Sequence, residues 1–189
     1  MMAKEMVRQG GRSARIQTAV HGAVEELLKT MDRTEITVPM IAEKAGVTPS
    51  TIYRRWGDLA DLLADVAVAR MRPISDPDDT GAMDTDIETF ILQYAEEMSS
   101  PVGRQLLTDV LSSSESAAAA CCSFTSMHLE TLRLRALARG EDGFDLDEAV
   151  DLIVAPIVYH ILFGDRVPTA SYCRRLVARF LTTQVAARV

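Results

Sequence analysis

The sequence predicts an all-α protein of nine helices, with an N-terminal three-helix unit and a larger C-terminal helical bundle. Two observations support this prediction. Apolar residues recur at helical spacing and few segments alternate as β-strands do, and Pro, Gly, Ser and Asp signals separate these segments. Hydrophobic residues make up 48% of the 189 residues, so the chain can bury a substantial core. We assign the two predicted domains to residues 12–63 and 64–189.

The first four helices are predicted from their apolar spacing and from the residues at their ends. Thr37 and Thr48 are expected to cap the second and third helices, each of which has a proline in its first turn, where amides are unbonded. Gly46 offers the positive φ that a tight helix stop needs. The predicted ranges are 13–31, 38–45, 49–56 and 59–72.

Five further helices are predicted beyond a polar segment, residues 73–82, which is the only clear linker in the sequence. Asp145 is expected to cap the eighth helix. Pro156 lies inside that helix and is expected to bend it, because proline lacks the amide that the helix would use. Pro168 is expected to open the last helix. The predicted ranges are 84–98, 101–111, 115–138, 146–163 and 168 to the C-terminus.

The composition argues against several functional classes. No run of 18 apolar residues is available to cross a membrane, and the first 15 residues lack the apolar core of a secretory signal, so we predict a cytoplasmic protein. The three cysteines do not form a disulfide framework, and no metal-ligand spacing is present. No Gly-rich phosphate loop, His-Glu-x-x-His or Gly-x-Ser-x-Gly motif occurs, so we predict no enzyme, no metal and no cofactor.

The net charge of −7 is unevenly distributed. Residues 1–56 carry 9 Lys and Arg against 6 Asp and Glu, a charge of +3, whereas residues 57–189 carry −10. A basic segment on an acidic chain suits contact with a polyanion, although a charge of +3 also arises by chance. Four basic residues of the N-terminal tail are interpreted either as a disordered arm or as a reader of the minor groove: Lys4, Arg8, Arg12 and Arg15.

Residues 36–56, ITVPMIAEKAGVTPSTIYRRW, carry the strongest functional signal. Two short helices joined by a Gly-containing turn have the geometry of a helix-turn-helix, although the spacing alone fits an αα-hairpin equally well. An internal core of Ile41, Ala45, Val47 and Ile52 is expected to leave the polar side of the second helix exposed. Such a helix fits the major groove of DNA and contacts bases with its N-terminal residues.

The segment from Ile16 to Leu63 resembles the N-terminal domain of the TetR family of bacterial transcriptional regulators. The resemblance covers about 48 residues, and the matching positions are Thr37-Val38, Ile41-Ala42, Ala45-Gly46-Val47, Thr51-Ile52-Tyr53, Trp56 and Leu62. It implies a homodimer that binds a palindromic operator in double-stranded DNA, and a divergent C-terminal domain that binds a small effector. The implied function is a transcriptional regulator, expected to be a repressor that the effector releases.

Thr37, just before the first helix of the motif, is one predicted DNA-contacting residue. The others lie at the start of the second helix and on its exposed side: Thr48, Pro49, Ser50, Thr51, Tyr53, Arg54 and Arg55. Trp56 is predicted to be a core residue. Two positions depart from the family pattern. Pro39 stands where a basic residue is frequent, and Leu59 stands where a lysine commonly holds a backbone phosphate. Both departures remove a possible anchor to DNA.

The resemblance also implies residues for the other two interfaces. The predicted effector contacts lie on helices 5, 7 and 8, although a plain bundle core explains them equally well: Phe90, Tyr94, Met98, Phe124, Met127, His128 and Tyr159. They indicate a largely hydrophobic ligand with a polar anchor such as His128 or Tyr159. The predicted homodimer contacts lie on helices 8 and 9: Ile153, Ile157, His160, Ile161, Tyr172, Leu176 and Phe180. Leu152 is a further apolar residue of helix 8. The alternative is that these residues pack in a core inside the single chain.

Two other functions remain compatible with the sequence. A helical adaptor that does not bind DNA would explain the acidic C-terminal part and the apolar Leu59. A constitutive DNA binder without an effector would need no ligand cavity. A shift of a duplex carrying an operator-like palindrome, weakened by salt, discriminates DNA binding from the adaptor.

Overall fold

A computed structural model describes residues 11–113, 115–164 and 167–186. Within these ranges the chain forms nine helices and no β-strand, so the all-α prediction is confirmed. The eighth helix has three consecutive segments, Leu146–Ala149, Val150–Val154 and Ala155–Phe163, which we call α8 together. The others are α1 (Arg12–Thr30), α2 (Val38–Ala45), α3 (Pro49–Trp56), α4 (Leu59–Met71), α5 (Met83–Ser99), α6 (Pro101–Leu111), α7 (Glu115–Ala138) and α9 (Ala170–Ala186).

The chain divides into two compact units between Val66 and Ala67, within α4. The N-terminal unit has its own core, in which apolar residues of α1, α2, α3 and the first part of α4 pack together. Its fully buried members come from all four helices: Val20, Val24, Ile41, Ile52 and Leu62. Trp56 is buried in this core, as predicted from the sequence.

The turn between α2 and α3 is built as predicted, but the two threonine caps are not. Gly46 has φ +66° and stops α2, and the Val47 amide donates to the Ala42 carbonyl at 2.9 Å. Neither Thr37 nor Thr48 caps its helix through the side chain. For α2 the reason is Pro39, which removes one of the amides that a cap would accept from.

The hydroxyl of Thr48 is used differently. It lies 3.0 Å from the Ser50 hydroxyl and 2.9 Å from the Thr51 hydroxyl, so these three side chains bond to one another. The Thr51 amide donates instead to the Thr48 carbonyl at 2.9 Å. The start of α3 is therefore held by backbone and hydroxyl–hydroxyl hydrogen bonds.

The C-terminal unit is built around a larger apolar core. Residues of α5, α7, α8 and α9 form it, and its fully buried members include Ile87, Ile91, Leu129, Leu132, Ile153, Ile157, Ile161 and Phe180. The Phe144 and Phe180 rings meet edge to face, with centroids 5.7 Å apart. Asp145 caps α8 by accepting from the Glu148 amide at 2.8 Å, as predicted. These apolar faces account for most of the helical periodicity in the sequence.

The polar segment between α4 and α5 is held by Arg135 in the last turn of α7 and by Arg139, which directly follows that helix. The Arg135 guanidinium donates to the Pro77 carbonyl at 2.6 Å, and Arg139 donates to Asp79 at 3.0 Å and to Asp86 at 2.8 Å. Asp86 is completely buried and also accepts from the Thr80 amide at 2.6 Å. Residues 73–82 are therefore a fixed part of this unit rather than a free linker.

The effect of Pro156 on α8 is a change of helix type. Val150–Val154 form a π-helical segment immediately before the proline, in which the Ala155 amide donates to the Val150 carbonyl five residues earlier. Proline has no amide to offer the carbonyl four residues before it, and a π segment is one way for a helix to absorb that defect. The last helix begins at Ala170 rather than Pro168, because Thr169 accepts from the Tyr172 amide at 3.3 Å and caps it.

Candidate nucleic-acid interface

The helix-turn-helix predicted from the sequence is present in α2 and α3. Ile41 and Ala42 of α2 and Ile52 of α3 are buried between the helices, and Ala45 and Val47 pack at the edge of the same core. The small Ala42 side chain allows α3 to lie close to α2. This packing fixes which side of α3 faces solvent.

The predicted DNA-contacting residues all lie on the surface of the N-terminal unit. Thr51 is half-buried and the others are exposed: Thr37, Thr48, Pro49, Ser50, Tyr53, Arg54 and Arg55. The Tyr53 side chain is 49% exposed, so its hydroxyl is not a core group. The hydroxyl cluster of Thr48, Ser50 and Thr51 lies at the α3 N-terminus, where free amides and the helix dipole favour phosphate oxygens.

The two arginines of α3 differ in what they contact. Arg55 donates to the Ser13 hydroxyl at 2.5 Å and to the Gln17 side-chain carbonyl at 2.7 Å. Its guanidinium carbon also lies 5.1 Å from the Trp56 ring centroid, a cation–π contact. Within the described residues Arg54 makes no hydrogen bond or ion pair. Arg54 is therefore available to DNA, whereas Arg55 ties α3 to α1.

The network continues from Arg55 to a carboxylate of α4. Asp65 accepts hydrogen bonds from Trp56 Nε1 at 2.7 Å and from Gln17 Nε2 at 3.2 Å, and lies 2.9 Å from His21 Nε2. Burial opposes ionisation of Asp65, but the hydrogen bonds from Trp56 and His21 outweigh it, so the pKa of Asp65 lies below its ordinary value. The Asp65 carboxylate thus joins α1 and α4 to α3, the helix whose exposed side chains were predicted to contact DNA.

Sequence reasoning missed the positioning residues Ser13, Gln17, His21 and Asp65. Gln17 and His21 are one helical turn apart on α1, a spacing that places both on one face. The spacing gives no sign that this face meets the only tryptophan of the chain.

The two departures from the family pattern supply no cationic group. Pro39 is exposed, and Leu59 is half-buried against the core of its unit. Asp58 accepts from the Asp61 amide at 2.9 Å and so caps α4, which gives its carboxylate a structural role beside Leu59. Two predicted residues of the basic tail, Lys4 and Arg8, lie outside the described residues, whereas Arg12 and Arg15 are exposed on α1.

The C-terminal unit contains a cavity of about 510 Å³. It is enclosed by the end of α4, the segment that follows it, and residues of α5, α6 and α7. Helix 8 was expected to contribute to the effector cavity, but none of its residues lines this one. Residues 72–78 line it instead, and Arg135 of α7 donates to the Pro77 carbonyl within this segment. A volume of this size is in the range of small-molecule sites.

Five of the seven predicted effector contacts line this cavity: Phe90, Tyr94, Met98, Phe124 and His128. Met127 and Tyr159 do not. Met127 is exposed on α7, one position before His128, and helical rotation turns it away from the lining. Tyr159 is 61% exposed on α8, where its ring packs against Phe163 with centroids 5.6 Å apart.

The predicted dimer contacts are placed mainly inside the unit. Ile153, Ile157, Ile161, Leu176 and Phe180 are buried within the single chain, which is the alternative of an internal core. His160 and Tyr172 are half-buried, and their rings meet edge to face at 5.2 Å. The exposed apolar face of α8 is formed instead by Leu152, Tyr159 and Phe163, with exposed fractions of 40%, 61% and 72%. The apolar spacing of α8 predicted its buried face, whereas the apolar side chains that remain exposed lie on another face of the same helix.

Two kinds of site are not found in the described part of the chain. No group of three or more His, Cys, Asp or Glu side chains there is placed to hold a metal ion. None of its helices is long and apolar enough to span a membrane. Burial and the neighbouring Cys122 raise the pKa of Cys121 to about 11, so its thiol is unreactive near neutral pH.

Comparison with solved structures identifies the same architecture in TetR-family proteins. The TetR family transcription regulator SCO0332 aligns over 89% of this chain and 97% of its own, with a TM-score of 0.66 and 20% identity. A TetR-family transcriptional regulator from Mesorhizobium loti MAFF303099 aligns over 91% and 98%, with a TM-score of 0.59 and 14% identity. At these identities the likeness concerns the fold.

Sequence comparison also finds similarity to two HTH-type transcriptional regulators. The uncharacterized HTH-type transcriptional regulator YdeS of Bacillus subtilis (strain 168) is 28% identical over 169 residues, covering 84% of each chain. The HTH-type transcriptional regulator AqdR of Rhodococcus erythropolis is 32% identical over 76 residues, 40% of this chain and 37% of AqdR.

Family models match both units. Residues 25–66 match the model for bacterial regulatory proteins of the tetR family, and residues 77–180 match the model for the tetracyclin repressor-like C-terminal domain. The second match alone covers more than half of the chain. The chain belongs to the TetR family of bacterial transcriptional regulators.

Proposed function

We propose that this regulator is a repressor that binds a palindromic DNA operator as a homodimer and is released by a small, largely hydrophobic effector. The observation that carries the DNA-binding part is the exposed face of α3, where Arg54 has no partner within the described residues while Arg55 is held by α1. A helix fixed in this way presents the same side chains to every operator, which is what base readout requires.

The contacts divide into two classes by chemistry. Arg54 extends from the exposed face of α3 to base edges or phosphates, since a guanidinium pairs with guanine and with phosphate alike. Hydroxyl groups form the second class and contact phosphates or polar base edges; they belong to Thr37, Thr48, Ser50, Thr51 and Tyr53. Pro49 packs against thymine methyl groups. Phosphate contacts set register and affinity, whereas base contacts set sequence preference.

The homodimer is proposed to form through α8 and α9. The exposed apolar face of Leu152, Tyr159 and Phe163 on α8 is the surface that a second copy covers, with the half-buried His160 and Tyr172 at its border. A two-fold dimer repeats α3 in two half-sites, as a palindromic operator needs. Light scattering at micromolar concentration should give twice the chain mass of 20.7 kDa; a mass of one chain would exclude the dimer.

Release by an effector is supported by the cavity of the C-terminal unit and by the place of α4. Asp65 of this helix anchors the network behind α3, and Arg70 and Met71 at its end line the cavity. A ligand that favours a displaced α4 by about 100-fold supplies roughly 2.7 kcal/mol of coupling against DNA binding. A constitutive DNA binder would lack that coupling.

The test is a mobility shift with a duplex that carries the operator-like palindrome upstream of the chain's own gene. We expect a shift that weakens steeply as salt rises, because phosphate contacts release counterions. An adaptor protein would produce no shift. Adding candidate hydrophobic effectors to the shifted complex then tests release: DNA affinity that no ligand bound in the cavity changes would leave a constitutive regulator.

A further inference from the structure

The cavity of the C-terminal unit has an aromatic side formed by α5 and α7. The Phe90 ring stands between two polar rings, with its centroid 6.1 Å from that of Tyr94 and 5.3 Å from that of His128. The Phe90 and His128 planes are 85° apart, an edge-to-face arrangement. Phe124 lies one turn before His128 on α7 and lines the same cavity.

The two polar rings on this side differ in hydrogen bonding. Burial raises the pKa of the Tyr94 phenol, and its hydroxyl has a hydrogen-bonding partner in Thr125. The Nε2 atom of His128 is buried and has no hydrogen-bond partner among the described residues. A buried imidazole nitrogen without a partner is unfavourable, because it has lost its bond to water and gained none. One residue of the cavity lining, His128, therefore has a buried polar atom whose bonding is incomplete.

The charged side chains around the cavity are mixed in sign. Arg70 and Arg72 are accompanied by Asp76, Asp78 and Glu97, so the lining has no excess of positive charge to select an anion. The apolar part comes from Met71, Pro73, Ile74, Phe90, Met98, Val102, Leu106 and Phe124. This combination suits an uncharged ligand whose surface is mostly apolar.

The structure assigns His128 as the hydrogen-bonding anchor of this cavity, and we propose that its ligand class is a neutral aromatic or alicyclic molecule with a hydroxyl group. A hydroxyl both donates and accepts, so it can pair with Nε2 in either tautomer of the neutral imidazole. This proposal rests on the cavity being the effector site proposed above, and it adds the chemical class and the residue that selects it.

Binding at Nε2 requires a side-chain movement. The atom exposes less than 1 Å² of surface, so a ligand reaches it only after the imidazole or the Phe90 ring rotates. The terminal torsion of both side chains has a broad energy profile, and such rotations are fast compared with ligand residence.

The test compares 1-naphthol with 1-methylnaphthalene, two neutral probes of similar shape that differ by a hydroxyl in place of a methyl group. Binding to the full chain is measured by calorimetry or by probe fluorescence. We expect the wild type to bind 1-naphthol about tenfold more tightly, the size of one net hydrogen bond. His128→Phe keeps a ring of similar size and should bind both probes with equal affinity.

Two further variants separate recognition from folding. Ser123→Ala removes an exposed hydroxyl of α7 that is not in the cavity lining, and should keep the tenfold preference. His128→Gln keeps a donor and an acceptor and should restore part of the preference lost in His128→Phe. A circular-dichroism melt of each variant establishes that it is folded before its affinities are compared.

Three results would overturn the proposal: equal affinity of the wild type for both probes, an unchanged preference in folded His128→Phe, or no binding of either probe. The operator shift without probe is measured on the same preparations. A normal shift with no probe preference rejects the anchor while DNA binding stands, whereas a tenfold preference without any shift rejects the proposed regulator and keeps the site.

Discussion

The two units of this protein differ in how completely their buried polar side chains are hydrogen-bonded. In the N-terminal unit Asp65 gathers contacts from Trp56, His21 and Gln17, so its interior polar groups form one connected network. Among the described residues, two buried side-chain atoms have no hydrogen-bond partner, Ser99 Oγ and His128 Nε2. Both belong to the C-terminal unit. The C-terminal unit also holds the cavity of about 510 Å³.

The difference indicates how each unit recognises its partner. A saturated polar network fixes α3 before DNA arrives, so ordering the helix costs little on binding. A cavity with an incomplete hydrogen bond leaves free energy to be gained when a ligand enters. We interpret the first unit as a preformed surface and the second as a site completed by its ligand.

The largest expected effect is at a buried ion pair of the C-terminal unit, Asp86–Arg139. Asp86→Asn should lower the free energy of unfolding by about 2–4 kcal/mol at neutral pH, because it weakens a completely buried, hydrogen-bonded ion pair. Thermal or urea unfolding measures the change. Asp84→Asn, an exposed carboxylate on the same helix, is the matched control and should change stability little.

The same pair has a defined pH dependence. Burial opposes ionisation of Asp86, but hydrogen bonds from Thr80 and Arg139 outweigh it and hold the pKa of Asp86 below its ordinary value. Its contribution is therefore present at neutral pH and is lost as pH falls below about 4 towards the lowered pKa. The stability gap between wild type and Asp86→Asn should close in acid; a constant gap would show that ionisation of Asp86 contributes nothing.

The second prediction breaks the network of the N-terminal unit. Asp65→Ala removes the acceptor of Trp56 and Gln17 and the partner of His21, and should cost about 1.5–3 kcal/mol of unfolding free energy, limited by the partial exposure of Asp65. DNA affinity should fall as well, because α3 is no longer fixed. Glu43→Ala, an exposed carboxylate on α2, should change neither quantity. An Asp65→Ala protein with wild-type stability would contradict the network's structural role.

The third prediction uses the contrast between the two arginines of α3. Arg54→Ala should weaken specific operator binding by about 1–3 kcal/mol and leave thermal stability unchanged. Arg55→Ala should instead lower stability, because Arg55 holds Ser13 and Gln17 of α1. Anisotropy titrations and thermal melts on both variants separate the roles. If Arg55→Ala lost only DNA affinity, the assignment of Arg55 as a positioning residue would fail.

The smallest expected effect is that of a single hydroxyl on the exposed face of α3. Tyr53→Phe should weaken operator and unrelated DNA equally, by about 0.5–1 kcal/mol, since a phosphate contact carries no sequence information. The ratio of the two affinities should stay constant. A changed ratio would place the Tyr53 hydroxyl on a base edge.

Local signals allowed most of the fold to be predicted from the sequence. Pro49 and the glycines after Ala45 and Trp56 mark α2 and α3 at the residues where the structure has them. The role of Arg55 was not predictable, because its partners Ser13 and Gln17 are 42 and 38 residues away. Local packing was enough to predict which α3 side chains are exposed. It was not enough to predict which of them form hydrogen bonds to other helices, as Arg55 does with α1.

The cavity lining and the exposed apolar face of α8 also depend on contacts between distant parts of the chain, which local sequence signals do not predict. The wall at residues 72–78 depends on Arg135, which binds Pro77 from 58 residues away. The periodicity of α8 and α9 identifies apolar faces without saying whether they pack inside one chain or against a second. In the structure Ile153, Ile157 and Ile161 pack inside, and Tyr159 and Phe163 remain outside.

The central claim, that the exposed face of α3 reads an operator, is tested most directly by fluorescence anisotropy. The wild-type chain is titrated into the palindromic duplex and into a scrambled duplex of equal length, at several salt concentrations. We expect tighter binding to the palindrome, a logarithm of affinity that falls linearly with the logarithm of salt for both duplexes, and loss of the preference in Arg54→Ala. Equal affinity for the two duplexes, or a preference that Arg54→Ala leaves intact, would contradict the account.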